Sequence, residues 1–234
     1  MSLRHAVFAF GMASMVAWSA AGQSRSEKPL DAQALLGLVQ AFYEQTRSLE
    51  ADFEQVRYTR LYDRYDRARG KVAFKKPGKM RWDYAKPNGQ VFVTSGDNLL
   101  IYQPPETGEK HGQLIERAID EDQLPSAFSF LTGRGDLSAD FDARLLESAP
   151  ETFKDGYVLQ LIPRKPTPNY EQLVFFVRVL ETKGKRGAVV QRVLIIDASG
   201  NRNRFDFKNI KFNRGLADAR FEYEPPAGTH RVKP

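Results

Sequence analysis

The stretch that decides the fold is FKKPGKMRWDY, from Phe74 to Tyr84. Met80, Trp82 and Tyr84 alternate there with Arg81 and Asp83, and Val72, Phe74 and Lys76 share one parity just upstream. An apolar residue at every second position is the signature of a half-buried β-strand. The same period recurs on both sides. Ala51 and Phe53 alternate with acids before it; Val91 and Val93 open a strand after it, and Ser95-Gly96-Asp97-Asn98 turns the chain into Leu99 to Tyr102. Residues 103–122 are polar and turn-rich around a strand at Leu114 to Ile119. Four more strand-like runs follow: Tyr157–Ile162, Leu173–Leu180, Val189–Ile196 and Arg204–Phe212. Phe221 and Tyr223 suggest a last short strand before Pro225 and Pro226.

Helical spacing is confined to two places. Leu35, Leu38, Val39, Phe42 and Leu49 recur at helical intervals, and Asp31 can cap their amino end, so a helix is expected over Asp31 to Leu49. A short apolar helix is expected near Leu124 to Thr132, carrying Phe128, Phe130 and Leu131 and stopped by Gly133. The chain thus reads as mainly β with helices: one large antiparallel sheet, a helix at its start and a second helical insert midway. No linker and no internal repeat divides it. So long a strand series must curl or close to avoid exposed edges, and helices packed over a curled sheet bury the apolar faces of both. Such an arrangement can hold an apolar cavity.

Composition narrows the chemistry. The chain has 234 residues, no cysteine, and 35 Lys+Arg against 29 Asp+Glu. Without cysteine there is no disulfide, no Cys-ligated zinc, no iron–sulfur cluster, no thiol nucleophile and no thioether lipid anchor. Arg4 and His5 precede an apolar run from Ala6 to Ala21 that ends in small residues before Gln23. That order reads as a secretory signal peptide over residues 1–22, leaving a single exported domain over residues 23–234; a retained membrane anchor is the rival reading, for which the run is slightly short.

Beyond that segment only His111 and His230 remain, both in loop-like surroundings. A histidine-rich metal site is not expected, and a Ser–His–acid triad would have to use one of these two. Asp120, Glu121 and Asp122 read as a hydrated loop. Gly133, Arg134 and Gly135 are too few for a phosphate cradle. The residues disfavour an enzyme without ruling one out.

The positive charge is a patch. From Arg57 to Lys86 there are eleven Lys or Arg residues and three acids, a local +8, while the rest of the exported chain sums to −3. Tyr58, Tyr62, Tyr65, Trp82 and Tyr84 are interleaved with it. Export argues against nucleic acid as the partner; most of these charges read as a solvated strand face, and an anionic membrane surface or an acidic protein is the next use they suit.

Phe74 to Tyr84 followed by Pro87 resembles a strand–basic residue–proline–loop–strand signature of the LolA family of periplasmic outer-membrane lipoprotein carriers. Ser95 to Tyr102 resembles that family's next hairpin. Pro163 after the Val158–Ile162 strand, Asp197 with Gly200, and Phe221 with Pro225, Pro226 and Gly228 follow in the same order. The resemblance implies a single incomplete antiparallel β-barrel of about 10–11 strands under a helical lid, enclosing a hydrophobic cavity for acyl chains. It also implies an acylated lipoprotein as cargo, an inner-membrane ABC transporter as source, an outer-membrane lipoprotein acceptor as destination, and a monomeric carrier without cofactor. The missing cysteine fits the carrier better than an acceptor anchored through an acylated cysteine. A glycolipid carrier or a lipid sensor of the same fold is the alternative, and a secreted hydrolase the more distant one.

On this resemblance and strand parity, the expected cavity lining is Phe53, Val72, Phe74, Met80, Trp82, Tyr84, Val91, Val93 and Leu100. Leu124, Phe128 and Leu131 are expected in the lid. The family's lid-tying arginine is Lys76 here, a point charge in place of a planar fork. Met80 takes an aromatic position of the family near the cavity mouth. Arg57, Arg60, Arg64, Arg67 and Arg69 form the expected basic docking patch.

Overall fold

A computed structural model describes residues 30–95, 98–118, 128–132, 135–147, 153, 156–182 and 184–232. The expected signal segment, Leu124, the acids at 120–122, Gly133 and Arg134 lie outside the described residues.

The chain opens with helix α1, Ala32–Gln45. Asp31 caps it by accepting a 2.7 Å bond from the Ala34 amide. Leu35, Leu36, Val39 and Tyr43 form its buried stripe. The helix stops before the expected Leu49. Thr46 Oγ1 donates to the Phe42 carbonyl and Lys76 Nζ to those of Tyr43 and Glu44, so the last carbonyls are satisfied and the chain turns extended. Leu49 belongs instead to the first strand.

Twelve strands follow among the described residues: β1 Ser48–Thr59, β2 Arg64–Lys75, β3 Lys79–Tyr84, β4 Val91–Ser95, β5 Asn98–Gln103, β6 Gln113–Ala118, β7 Phe141–Leu146, β8 Tyr157–Pro163, β9 Gln172–Thr182, β10 Lys185–Ile196, β11 Arg202–Phe212 and β12 His230–Val232. Two short helices, α2 Ser129–Thr132 and α3 Leu137–Asp140, lie between β6 and β7. The strands make one sheet in the order β12-β6-β5-β4-β3-β2-β1-β11-β10-β9-β8-β7. Every neighbouring pair is antiparallel except β12 with β6. β7 and β12 are its two edges, so the barrel is unclosed.

Two register shifts bend the sheet. One lies in β10 between Val190 and Arg192; the other lies where β1 meets β11, beside Asn209 with its left-handed backbone (φ 52°). A bulge admits an extra residue and sharpens the local bend. It also resets parity, so Val190 and Val193 both reach the main core, as do Phe205, Phe207 and Ile210. That core fills the concave face, roofed by α1, α2 and α3.

The expected last strand at Phe221–Tyr223 is not one. Phe221 ends a 3-10 turn, Asp218–Phe221, and packs with Leu216 on Ala73 against the convex face. Arg81 holds the backbone there through 3.0 Å bonds to the Arg220 and Glu222 carbonyls. The last strand is β12, nine residues on from Phe221.

Candidate functional site

The candidate site is the concave face between β1–β3 and β9–β11, under α1 and α2. Phe53 sits at its centre, 1% exposed, with its ring 4.9 Å from those of Trp82 and Tyr84. Its cross-strand partner is Gly70. A Cβ at Gly70 would lie 2.1 Å from the Asp83 carbonyl oxygen and 2.8 Å from the Phe53 ring, so the missing side chain is what lets the ring lie across β2.

Trp82 links both walls. Its ring lies 5.3 Å from Phe205, 5.9 Å from Phe74 and 6.1 Å from Phe207. Phe128, immediately before α2, is wedged into the same group, 5.3 Å from both Trp82 and Phe205. Further along, Phe130 packs 4.8 Å from Tyr43 and 5.4 Å from Phe175. These tilted and edge-to-face contacts are the favourable aromatic geometries. Among the described residues, the void between Tyr43, Leu49, Phe130, Leu131, Val190, Val193, Phe207 and Ile210 is about 10 Å³, at the lower limit for one water. The site is an apolar face filled by its own aromatic rings.

The sparse polar groups of this region serve structure. Tyr43 Oη accepts from the Val190 amide at 3.2 Å, and burial drives its phenol well above the ordinary value. Burial likewise pushes the Tyr84 phenol up to about 12, against an opposing pull from Arg57. Thr94 Oγ1 accepts from the Met80 amide and donates to the Gly78 carbonyl, pinning the β2–β3 turn to β4. Lys76, just before that turn, donates to the α1 carbonyls at 2.6 and 3.2 Å. Partial burial lowers its ammonium pKa, and the Glu44 carboxylate partly offsets this.

Of the residues expected to line a cavity, Phe53, Val72, Phe74, Met80 and Trp82 are buried together in the concave core, and Tyr84 packs against it. Phe128 and Leu131 join them from the helical side. Val91, Val93 and Leu100 do not. Trp82 pairs with Phe92, and Phe92 with Ile101, so those residues take the concave parity. Val93 pairs with Arg81 and Leu100, while Val91 pairs with Tyr102; these residues share the convex face. Val93 is buried all the same, because the C-terminal segment covers that side: the Asp218–Phe221 turn lies against β3 and β4, and Tyr223 packs on Tyr102. The run Val91-Phe92-Val93 is apolar on both faces, so alternation alone gives no parity.

Phe205 and Phe207 on β11, Phe175 on β9 and Tyr43 on α1 complete the concave face without having been singled out from the sequence. The alternation Phe205-Asp206-Phe207-Lys208 carried that signal for β11. Arg57, Arg60, Arg64, Arg67 and Arg69 are exposed on the β1–β2 hairpin, beyond the concave core. His111 and His230 face each other at 5.7 Å beside the β6–β12 edge, outside that core. Among the described residues no group of three or more His, Asp or Glu could hold a metal. No described helix is long and apolar enough to cross a membrane.

Comparison with known proteins agrees with this architecture. A protein of Dechloromonas aromatica described as an outer-membrane lipoprotein carrier protein is 30% identical over 194 residues, covering 82% of this chain and 84% of that one. A protein of the same description from Bordetella avium is 28% identical over 196 residues, covering 83% and 85%. Among solved structures, an uncharacterized conserved protein from Thermus thermophilus shares the fold, with a TM-score of 0.51 at 14% identity over 86% of this chain and 98% of that one. Residues 44–224 match the model of the family described as outer membrane lipoprotein carrier protein LolA, and the chain belongs to that family.

Proposed function

We propose that this protein carries lipoproteins bound for the outer membrane across the periplasm, with their acyl chains held against the concave face. The observation that carries the reading is how that face is closed. Phe128, Phe130 and Leu131 fill it from a segment that is no part of the sheet. Withdrawing them breaks no strand pairing and exposes a wall of Phe53, Trp82, Phe205 and Phe207. Acyl chains entering there would replace apolar contacts with apolar contacts.

The energetics suit a carrier. Burying a chain is worth about 0.8 kcal/mol per CH₂, so a multiply acylated cargo faces a cost on the order of tens of kcal/mol in water. Opening the plug sacrifices some ring packing, which makes binding weaker than in a preformed cavity. Weak binding relative to the next acceptor is what allows release without an energy source, since transfer follows differential affinity. The activity is binding and release, with no bond made or broken. Lys76 holds the end of α1 to the β2–β3 turn and serves as the latch of the roof. An inner-membrane ABC transporter supplies the cargo, an outer-membrane lipoprotein receives it, and the carrier works as a monomer after loss of residues 1–22.

The test is to purify the protein from periplasm and identify what it holds by mass spectrometry, alongside release of a labelled lipoprotein from spheroplasts. Acylated proteins are expected in the wild type and lost from a folded Trp82→Glu variant. Recovery of free glycolipid in their place would replace lipoprotein carriage by glycolipid carriage.

A further inference from the structure

The β1–β2 hairpin runs past β3 on one side, while on the other β11 stays beside β1 as far as Tyr58. β3 pairs with β2 only from Gly70 to Lys75, so residues 64–68 run on for about 17 Å with only β1 as a strand neighbour. At the tip Leu61 is 81% exposed, Tyr62 71% and Tyr65 60%, the three most exposed large apolar side chains described. Isolated apolar exposure is ordinary, but three such residues on one projecting tip make a patch.

The tip is built firmly. Arg60–Tyr62 is a 3-10 turn closed by Asp63 in the left-handed conformation (φ 45°). Asp63 accepts from Tyr58 Oη at 3.0 Å, and the Tyr58 and Tyr65 rings lie 4.7 Å apart. The Arg60 amide is tied to Asn201 Oδ1 of the β10–β11 turn at 2.9 Å. Leu61 and Tyr62 are therefore presented on a fixed support.

Around the tip stand five arginines against two aspartates, and Arg64 takes up Asp66 at 3.0 Å. Arg57, Arg60 and Arg67 make no ion pair among the described residues. Register places Arg57 and Arg64 on the concave side of the ribbon, Arg67 and Arg69 on the convex side, and Arg60 in the turn. Charge on both sides, with leucine and tyrosine foremost, matches end-on entry into a layer of anionic headgroups, where aromatic rings sit at the boundary and arginines meet phosphates.

We propose that the β1–β2 hairpin tip docks this protein onto anionic phospholipid bilayers, with Leu61 and Tyr62 entering the headgroup region inside a collar of arginines. This goes beyond lipoprotein carriage and needs no cargo. Docking would turn the end of the concave face at which Tyr84 lies near Arg57 toward the membrane.

The experiment is flotation of the empty exported protein with vesicles of phosphatidylglycerol and phosphatidylethanolamine, compared with phosphatidylcholine vesicles, together with fluorescence of a Tyr62→Trp variant. Binding is expected on the anionic vesicles only, weakening with salt, with a blue shift in the Tyr62→Trp emission. Replacing Arg60 and Arg67 by Gln should weaken it roughly fivefold per charge removed. Leu61→Ser with Tyr62→Ser should weaken it several-fold at an unchanged melting temperature. Absence of flotation, equal flotation on neutral vesicles, insensitivity to these variants, or an unshifted emission would each overturn the proposal. So would dependence on these residues solely for binding an acidic protein in detergent, without vesicle flotation. Cargo retention in solution should be unchanged in each of these variants, so a failure of docking is separable from a failure of carriage.

Discussion

Lys76 Nζ lies 2.6 Å from the carbonyl oxygen of Tyr43, joining the turn between β2 and β3 to the last turn of α1. The ammonium meets the negative end of the helix dipole and satisfies carbonyls that have no intrahelical donor. Lys76→Met keeps the aliphatic stem and removes the donor. It is expected to cost about 1–2 kcal/mol, as for a partly exposed hydrogen bond to a charged group. Urea melts should show that loss, and hydrogen exchange should accelerate first in the last turn of α1. Lys76→Arg supplies donors to the same carbonyls and should recover most of it.

Phe128 makes the second prediction. Truncation to alanine removes a buried ring held between Trp82 and Phe205 and leaves a cavity open to the concave wall. A loss of about 3 kcal/mol is expected. An aliphatic ligand can refill the space, so Phe128→Ala should bind a fluorescent fatty-acid probe more tightly than wild type while melting lower. Weaker binding together with lower stability would show that Phe128 is part of the lipid contact and not its competitor.

Tyr43, like Tyr84, makes stability fall at alkaline pH. The unfolded phenol loses its proton near 10.0, whereas the buried one keeps it to higher pH. Above that value the native state holds the extra proton, so stability falls as pH rises, by about 1.4 kcal/mol per pH unit until the buried group also ionises. Lys76 acts in the opposite sense, because its lowered pKa means the unfolded state holds the extra proton just below 10.5. Tyr43→Phe should start about 1 kcal/mol less stable, having lost the acceptor for the Val190 amide, but show a shallower decline above pH 10. Urea melts of both proteins on either side of that pH measure the difference in slope.

Gly70 is a steric prediction. Alanine there would place a carbon 2.1 Å from a backbone oxygen of β3 and against the Phe53 ring. Neither a strand backbone nor a central ring moves cheaply, and a loss of about 1–3 kcal/mol is expected. The near-ultraviolet circular dichroism of Trp82 should change with it, since the Phe53 ring is its neighbour.

How far the sequence could be read depended on whether a pattern was local. Phe53, Val72, Phe74 and Trp82 lie on strands with polar residues between the apolar ones, and alternation is enough to set their face. β7 escaped notice because Phe141 to Leu146 is a short edge strand ending in two adjacent leucines, with no clean period. The end of α1 was missed because it is set by Lys76, thirty residues away, and not by a local stop signal. Phe221 and Tyr223 carry a strand-like pattern, and nothing nearby in sequence signals that Arg81 holds the backbone there in a turn. The hairpin tip shows a further limit: its tyrosines and arginines are plain in the sequence, but their projection past β3 appears only when the register of three strands is known.

The Val91-Phe92-Val93 run turns that limit into the last prediction. Phe92 stands on the concave parity beside Trp82, and Val91 on the convex parity beside Tyr102. Both are half-buried, so both tolerate substitution better than the fully buried Val93. Phe92→Glu places a carboxylate toward the concave core and should abolish binding of acyl chains, because a charge cannot share an apolar cavity without a partner. Val91→Glu places the same charge one residue away but on the opposite face. It should leave acyl binding near wild type while loosening the C-terminal segment packed there through Tyr102 and Tyr223. Titration of each variant with a fluorescent fatty acid, with limited proteolysis of the C-terminal segment in parallel, separates the two faces. Equal loss of binding in both would mean that the acyl chains do not distinguish the sides of β4, and the concave face would then not be their seat.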